Sequence, residues 1–171
     1  MTKNEINEIP EYFTRYTALV GEESMDQVLE QSLQTLHQLP IQLYESLGEY
    51  SYAPGKWTLK SVLQHMIDTE RVLAYRALAF ARGETQVLPA FDEDGYAEHA
   101  DTKHRSVREL THELIGVRNS TIALFNSFNE SMLLRSGKTP GGICSVLALG
   151  FIISGHQCWH LNIIQERYLK Y

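Results

Sequence analysis

The sequence predicts an all-α protein, a four-helix bundle with one long crossover between its second and third helices. Three observations carry that expectation. Apolar residues recur at helical spacing in four separate segments, the first three segments run into proline- or glycine-bearing breaks, and nothing reads as a sheet. With 171 residues, 43% hydrophobic and 21% charged, the chain has the length and make-up of one ordinary globular domain, and no composition shift or repeat marks a second. A single bundle over residues 1–171 is expected, with residues 1–22 as an N-terminal arm.

After the arm, "SMDQVLEQSLQTLHQL" carries Val28, Leu29, Leu33, Leu36 and Leu39 at helical spacing and ends near Pro40. A short helical turn is expected at "IQLYESLG". The segment "EYSYAPGKWT" is a loop, punctuated by Pro54 and Gly55, and Thr58 is placed to cap the next run. That run, "LKSVLQHMIDTERVLAYRALAFARG", is the longest helical segment and stops at Gly83. Residues 84–105 are too many for a simple helical hairpin, so this connection is expected to cross the length of the bundle. The third helix reads "SVRELTHELIGVRNSTIALFNSF", with Leu110, Leu114, Val117, Thr121 and Leu124 on one face. "SGKTPGG" breaks the chain, and Ser145 caps a fourth helix that runs to about Arg167.

The formal net charge of −6, without a clustered basic face, argues against nucleic acid as a partner and favours a small-molecule substrate. No apolar signal region opens the chain and no run approaches the ~18 apolar residues of a membrane span, so a soluble protein without membrane association is expected. Cys144 and Cys158 form neither a CxxC pair nor a disulfide framework, which fits free thiols in the cytoplasm.

The segment "SGHQCWHLN", residues 154–162, places His156 and His160 four apart in an otherwise apolar helix. At ~100° per residue, Leu149, Ile152, His160 and Ile163 fall within ~40° of His156, so both imidazoles lie in the core stripe. His65 occupies a polar face of the second helix with Thr58, Ser61, Thr69 and Arg76. Measured along antiparallel helices at ~1.5 Å per residue, all three histidines reach nearly the same level. Three imidazoles facing inward at one level can bind a divalent ion and leave coordination positions open, as a reactive site requires. The alternative is a set of core histidines satisfied by hydrogen bonds.

Around these histidines, Asp68 is a candidate acceptor for a ligand's second ring nitrogen. Arg76 and Arg71 are candidates to meet an anionic substrate or thiol cofactor. Trp57 and Trp159 are expected to pack, "DEDGYAE" to lie over the site as a lid, and Cys158 to face away from it by helical phase. His37, His99, His104 and His112 carry no matching geometry.

The stretches "YAPGKWTLKSVLQHMIDTE", "LPAFDEDGYAEHADT" and "LGFIISGHQCWHLNIIQERYL" occur in this order over most of residues 50–168, and together they resemble the DinB-like four-helix-bundle metalloproteins. The similarity extends to the subgroup that includes bacillithiol S-transferases and metal-dependent hydrolases. It implies that His65, His156 and His160 are the metal ligands, with zinc or nickel the usual occupant. It also implies parallel second and third helices and a homodimer. The expected activity is metal-dependent transfer of a low-molecular-weight thiol to an electrophile, or hydrolysis. A non-catalytic metal- or ligand-binding sensor is the alternative.

Overall fold

The computed structural model describes residues 1–169; the last two residues of the expected domain, 170 and 171, lie outside them. A 3-10 turn at Lys3–Glu5 leads into α1 (Glu11–Thr17), followed by α2 (Met25–His37), α3 (Ile41–Ser46) and the long α4 (Leu59–Ala81). The crossover carries α5 (Glu93–His99), and α6 (Val107–Asn126) and the short α7 (Glu130–Leu133) follow. A hairpin of β1 (Ser136–Thr139) and β2 (Gly142–Ser145) then leads into α8 (Val146–Ile163), which continues as a π-helical turn over Ile164–Tyr168.

The long helices start where a side chain can take up free backbone amides. Ser24 and Ser106 form capping boxes with Gln27 and Glu109, and the hydroxyls of Thr58 and Ser145 accept from the amides of Ser61 and Ala148. α4 ends just before Gly83, whose φ of +87° takes the chain out of the helix.

Cross-contacts fix the directions. Along α4 and α6, Gln64 meets Arg105 just ahead of α6, Glu70 meets Arg118, and Arg82 lies over the Phe128 ring, so these helices run parallel. The crossover makes that possible, as expected. α2 and α8 also run parallel, since Met25 packs at Gly150 and Ser32 meets Ser154 and Gln157. α4 and α8 are antiparallel: His65 lies against His156 and His160, while Trp57 at the start of α4 accepts from the Tyr168 hydroxyl.

Apolar side chains form two clusters, one toward each end. One gathers Met25, Leu29, Leu73, Phe80, Phe125 and Phe151; the other gathers Leu36, Leu59, Leu63, Leu110, Leu114 and Tyr168. Between them lies a polar layer of buried Ser32, His65, Thr69, Glu70, Arg118, Ser154, His156, Gln157 and His160. In it, the fully buried Arg118 donates from Nε to Glu70 Oε1 at 2.8 Å and from Nη2 to Oε2 at 2.9 Å, and its Nη1 reaches the Ser32 hydroxyl. Gln157 Nε2 donates to the Ser32 carbonyl at 2.9 Å.

Three details differ from the sequence expectation. The buried face of α6 runs through Val107, Leu110, Leu114, Arg118, Thr121, Ile122 and Phe125, so Val117 and Leu124 are only partly covered. The ion pair with Glu70 draws Arg118 inward and turns the face by about one residue. Residues 136–145, expected to be a simple break, form an antiparallel hairpin with Ser136 opposite Ser145. It is seated because Gly137 has no side chain: a Cβ there would stand 1.9 Å from the Phe80 ring. The arm is also more than a tail, since α1 packs on α8. Among the described residues, no helix is long and apolar enough to cross a membrane.

Candidate metal centre

α8 is apolar nearly all round and almost wholly buried from Val146 to Gln157, because α1, α2 and α4 all pack against it. Its only titratable side chains in that environment are the two histidines one turn apart and Cys158. Gly155 admits the arm. A Cβ there would stand 2.1 Å from the Tyr16 carbonyl oxygen, so the absence of one lets α1 cross directly over α8. Tyr16 thereby sets its ring edge-on to His156, with centroids 5.3 Å apart. From the other side, the Trp57 ring lies 4.7 Å from that of His65.

The three imidazoles converge through one atom each. Nε2 of His65 lies 3.0 Å from Nε2 of His156 and 3.1 Å from that of His160, and the last two are 3.1 Å apart. Each residue is buried, at 4%, 5% and 8% exposure. Burial, the main cause for each ring, pushes the pKa of His65 down to about 4 and that of His160 down to about 3. The His156 pKa is lowered well below the ordinary value by burial, then by the other two rings and Arg118. Near neutral pH all three rings are neutral.

Hydrogen bonding alone cannot satisfy this triangle. A neutral ring nitrogen has one in-plane direction, so it either donates or accepts. Among three such atoms two are necessarily alike, and at least one pair within ~3 Å sets lone pair against lone pair or proton against proton. A cation resolves the conflict, because it takes all three lone pairs. Three nitrogens ~2.0–2.1 Å from one ion, at angles between ninety degrees and tetrahedral, stand ~2.8–3.4 Å apart, and the observed edges fall in that range. The donor set therefore fits a divalent ion of the kind that imidazole favours.

Behind the triangle, support is uneven. Nδ1 of His65 lies 3.4 Å from the Thr69 hydroxyl, one turn along α4. Nδ1 of His160 is buried without a hydrogen-bond partner among the described residues. Asp68, the expected acceptor for an imidazole, instead takes Gln64 Nε2 at 2.9 Å on the flank facing α6 and the crossover, and Thr69 occupies the position expected of it. One residue along a helix turns a side chain by ~100°, which carries Asp68 off the histidine face. Arg71 pairs with Glu113 at 2.7 Å and is half exposed. Cys158 is half-buried and does not join the converging groups; burial raises its thiol pKa. His37, His99, His104 and His112 are exposed.

Two separate cavities reach the triangle. One, of about 320 Å³, touches His156 and is bounded by Tyr16, Thr69, Arg76, Phe91, Glu93 and the hairpin tip at Pro140. The other, of about 230 Å³, touches His160 and is bounded by Tyr52, Lys56, Trp57, Asp94 and Tyr168. Glu93 and Asp94 are neighbours at the start of α5, so the segment expected as a lid stands between the two openings. The sequence alone does not place Tyr16, Thr69 or Trp57 at the site. Thr69 had a visible signal in its shared face with His65, whereas nothing in the arm marks Tyr16.

Comparison with known proteins agrees with this architecture. Residues 4–164 match the family model of the DinB superfamily. The fold is similar to that of YfiT from Bacillus subtilis, described as a probable metal-dependent hydrolase with an unusual four-helix bundle topology. That likeness has a TM-score of 0.65 at 18% identity and covers 95% of this chain and 91% of the other. No curated protein matches the chain. The family match spans nearly the whole bundle, including all three converging histidines, and the chain belongs to the DinB superfamily.

Proposed function

We propose that the chain is a metal-dependent enzyme in which His65, His156 and His160 hold one divalent ion, zinc or nickel, through their Nε2 atoms. The observation that carries this reading is the triangle of three neutral, buried nitrogens that no hydrogen-bond scheme satisfies. When bound, such an ion supplies Lewis acidity that makes a thiol or a water molecule nucleophilic near neutral pH. The chain's own residues do the rest. Thr69 steadies the His65 ring, Tyr16 and Trp57 wall the triangle from bulk water, and three neutral ligands leave the full positive charge of the ion to act on its substrate.

The two openings favour transfer between two reactants, each approaching from its own side, with a low-molecular-weight thiol as one of them. Hydrolysis, the reading suggested by the description of YfiT, needs only one organic substrate. A cytoplasmic homodimer is part of the same proposal. The test is turnover of small thiols with a chromogenic electrophile, beside turnover of chromogenic esters, in metal-loaded protein. Thiol-dependent turnover that vanishes on chelation, returns with metal and is missing in His160→Ala is the expected result. Ester hydrolysis without any thiol requirement would favour the second reading, and turnover indifferent to chelation would overturn both.

A further inference from the structure

Arg76 differs from Arg118, the other buried arginine, and from the less covered Arg71 and Arg105. Arg71, Arg105 and Arg118 each pair with a carboxylate, whereas no carboxylate lies within 4.0 Å of Arg76 among the described residues. Yet Arg76 is buried, at 8% exposure, in the wall of the cavity that touches His156. Among the described residues, its one side-chain hydrogen bond runs from Nη2 to the Pro89 carbonyl at 2.9 Å. That bond latches the crossover to α4, but it uses one of five N–H donors and does not require a charge. An unpaired buried guanidinium is costly, and a purely structural latch would be served by a neutral donor. The adjacent Cys144 is not its anion, because burial pushes that thiol up to about 12 and keeps it protonated.

We propose that Arg76 is the anchor for a carboxylate on the substrate that enters from the His156 side. This rests on the reading above only for the direction in which the reacting end of the molecule points. One guanidinium matches one carboxylate by a two-pronged hydrogen bond. A phosphate is disfavoured, because Asp92 and Glu93 also line this cavity and would repel a second negative charge. The rest of the wall selects the body of the molecule: Tyr12, Phe13, Tyr16 and Phe91 offer aromatic faces and edges. From Arg76, on the same face of α4 as Thr69 and Leu73, the cavity extends about two helical turns toward His156. A small organic acid with an aromatic or branched apolar body spans that distance.

The experiment is an amide-resolved NMR titration of the full chain, metal-free and zinc-loaded, with phenylacetate and its neutral isostere phenylacetamide. Phenylacetate is expected to shift resonances of Leu73, Arg76 and Gly141 in both forms, with phenylacetamide about tenfold weaker or more. Arg76→Gln should erase the difference, and Arg76→Lys should keep part of it. Because the wild-type comparison of the two probes needs no variant, loss of fold in either substitution leaves the test intact. Equal affinity for the two probes, a preference that survives Arg76→Gln, or no binding at millimolar probe overturns the proposal. A carboxylate preference in protein that fails to bind zinc would uphold the anchor while sinking the metal reading.

Discussion

Replacing Arg118 by methionine is expected to destabilise the protein by about 3–5 kcal/mol, because the Glu70 carboxylate then remains in the middle of the bundle with neither water nor a cation. Arg118 is fully buried and Glu70 is 4% exposed, and both oxygens of the carboxylate are taken by the guanidinium. For a chain of this length the loss corresponds to a fall in melting temperature of about 6–20 °C. The double replacement Arg118→Met with Glu70→Met removes both charges, and most of the lost stability should return, since an apolar pair of similar volume avoids the cost of desolvating two ions. Urea denaturation of the wild type, the two single variants and the double variant measures the coupling. Near-wild-type stability of the single Arg118 variant would mean that the polar layer is wetter than its burial implies.

The metal-free protein is expected to lose stability steeply as pH falls below about 6.5. The sign follows from the three imidazoles. In the unfolded chain each titrates near 6.5, whereas in the folded chain burial holds His65 at about 4 and His160 at about 3, with His156 also well below its ordinary value. Between these values the unfolded state binds up to three more protons than the folded state. Stability contributed by neutral burial is therefore complete above about 6.5 and declines toward pH 4. Each imidazole adds about 1.4 kcal/mol per pH unit to the slope once well below 6.5. Urea midpoints between pH 7 and about 5, where most carboxylates remain ionised, isolate the histidine contribution. A slope of one proton or less would contradict the burial of the cluster. Metal loading should move the decline to lower pH, since bound imidazoles resist protonation until the ion is released.

Much of this architecture is legible in the sequence because its boundaries are local. Thr58 and Ser145 announce two of the helix starts through chemistry confined to one turn, and Gly83 announces a stop. The convergence of His65, His156 and His160 is legible for a similar reason: helical phase and rise alone bring them to one face and one level. The rest depends on contacts between distant segments. The hairpin at 136–145 exists because Gly137 fits under Phe80, more than fifty residues away. The face of α6 is misread by about one residue because an arginine scores as surface until its partner Glu70 is known. Asp68 is the acceptor that the sequence suggests, but the imidazole contact falls to Thr69, four residues after His65 on α4, where one helical turn stacks the two side chains. Tyr16 reaches His156 because Gly155 lets the arm pass over α8, a relation with no local signature.

In the proposed centre, three neutral imidazoles share one divalent ion through Nε2. Its most direct test is metal analysis of the purified chain beside His65→Ala, His156→Ala and His160→Ala, combined with X-ray absorption at the metal edge. About one ion per wild-type chain is expected, with three imidazole nitrogens at ~2.0–2.1 Å, additional light-atom ligands in the open positions, and strongly reduced occupancy in each folded variant. Wild-type occupancy in any of the three variants, or a sulfur ligand from Cys144 or Cys158 in the absorption spectrum, would contradict it.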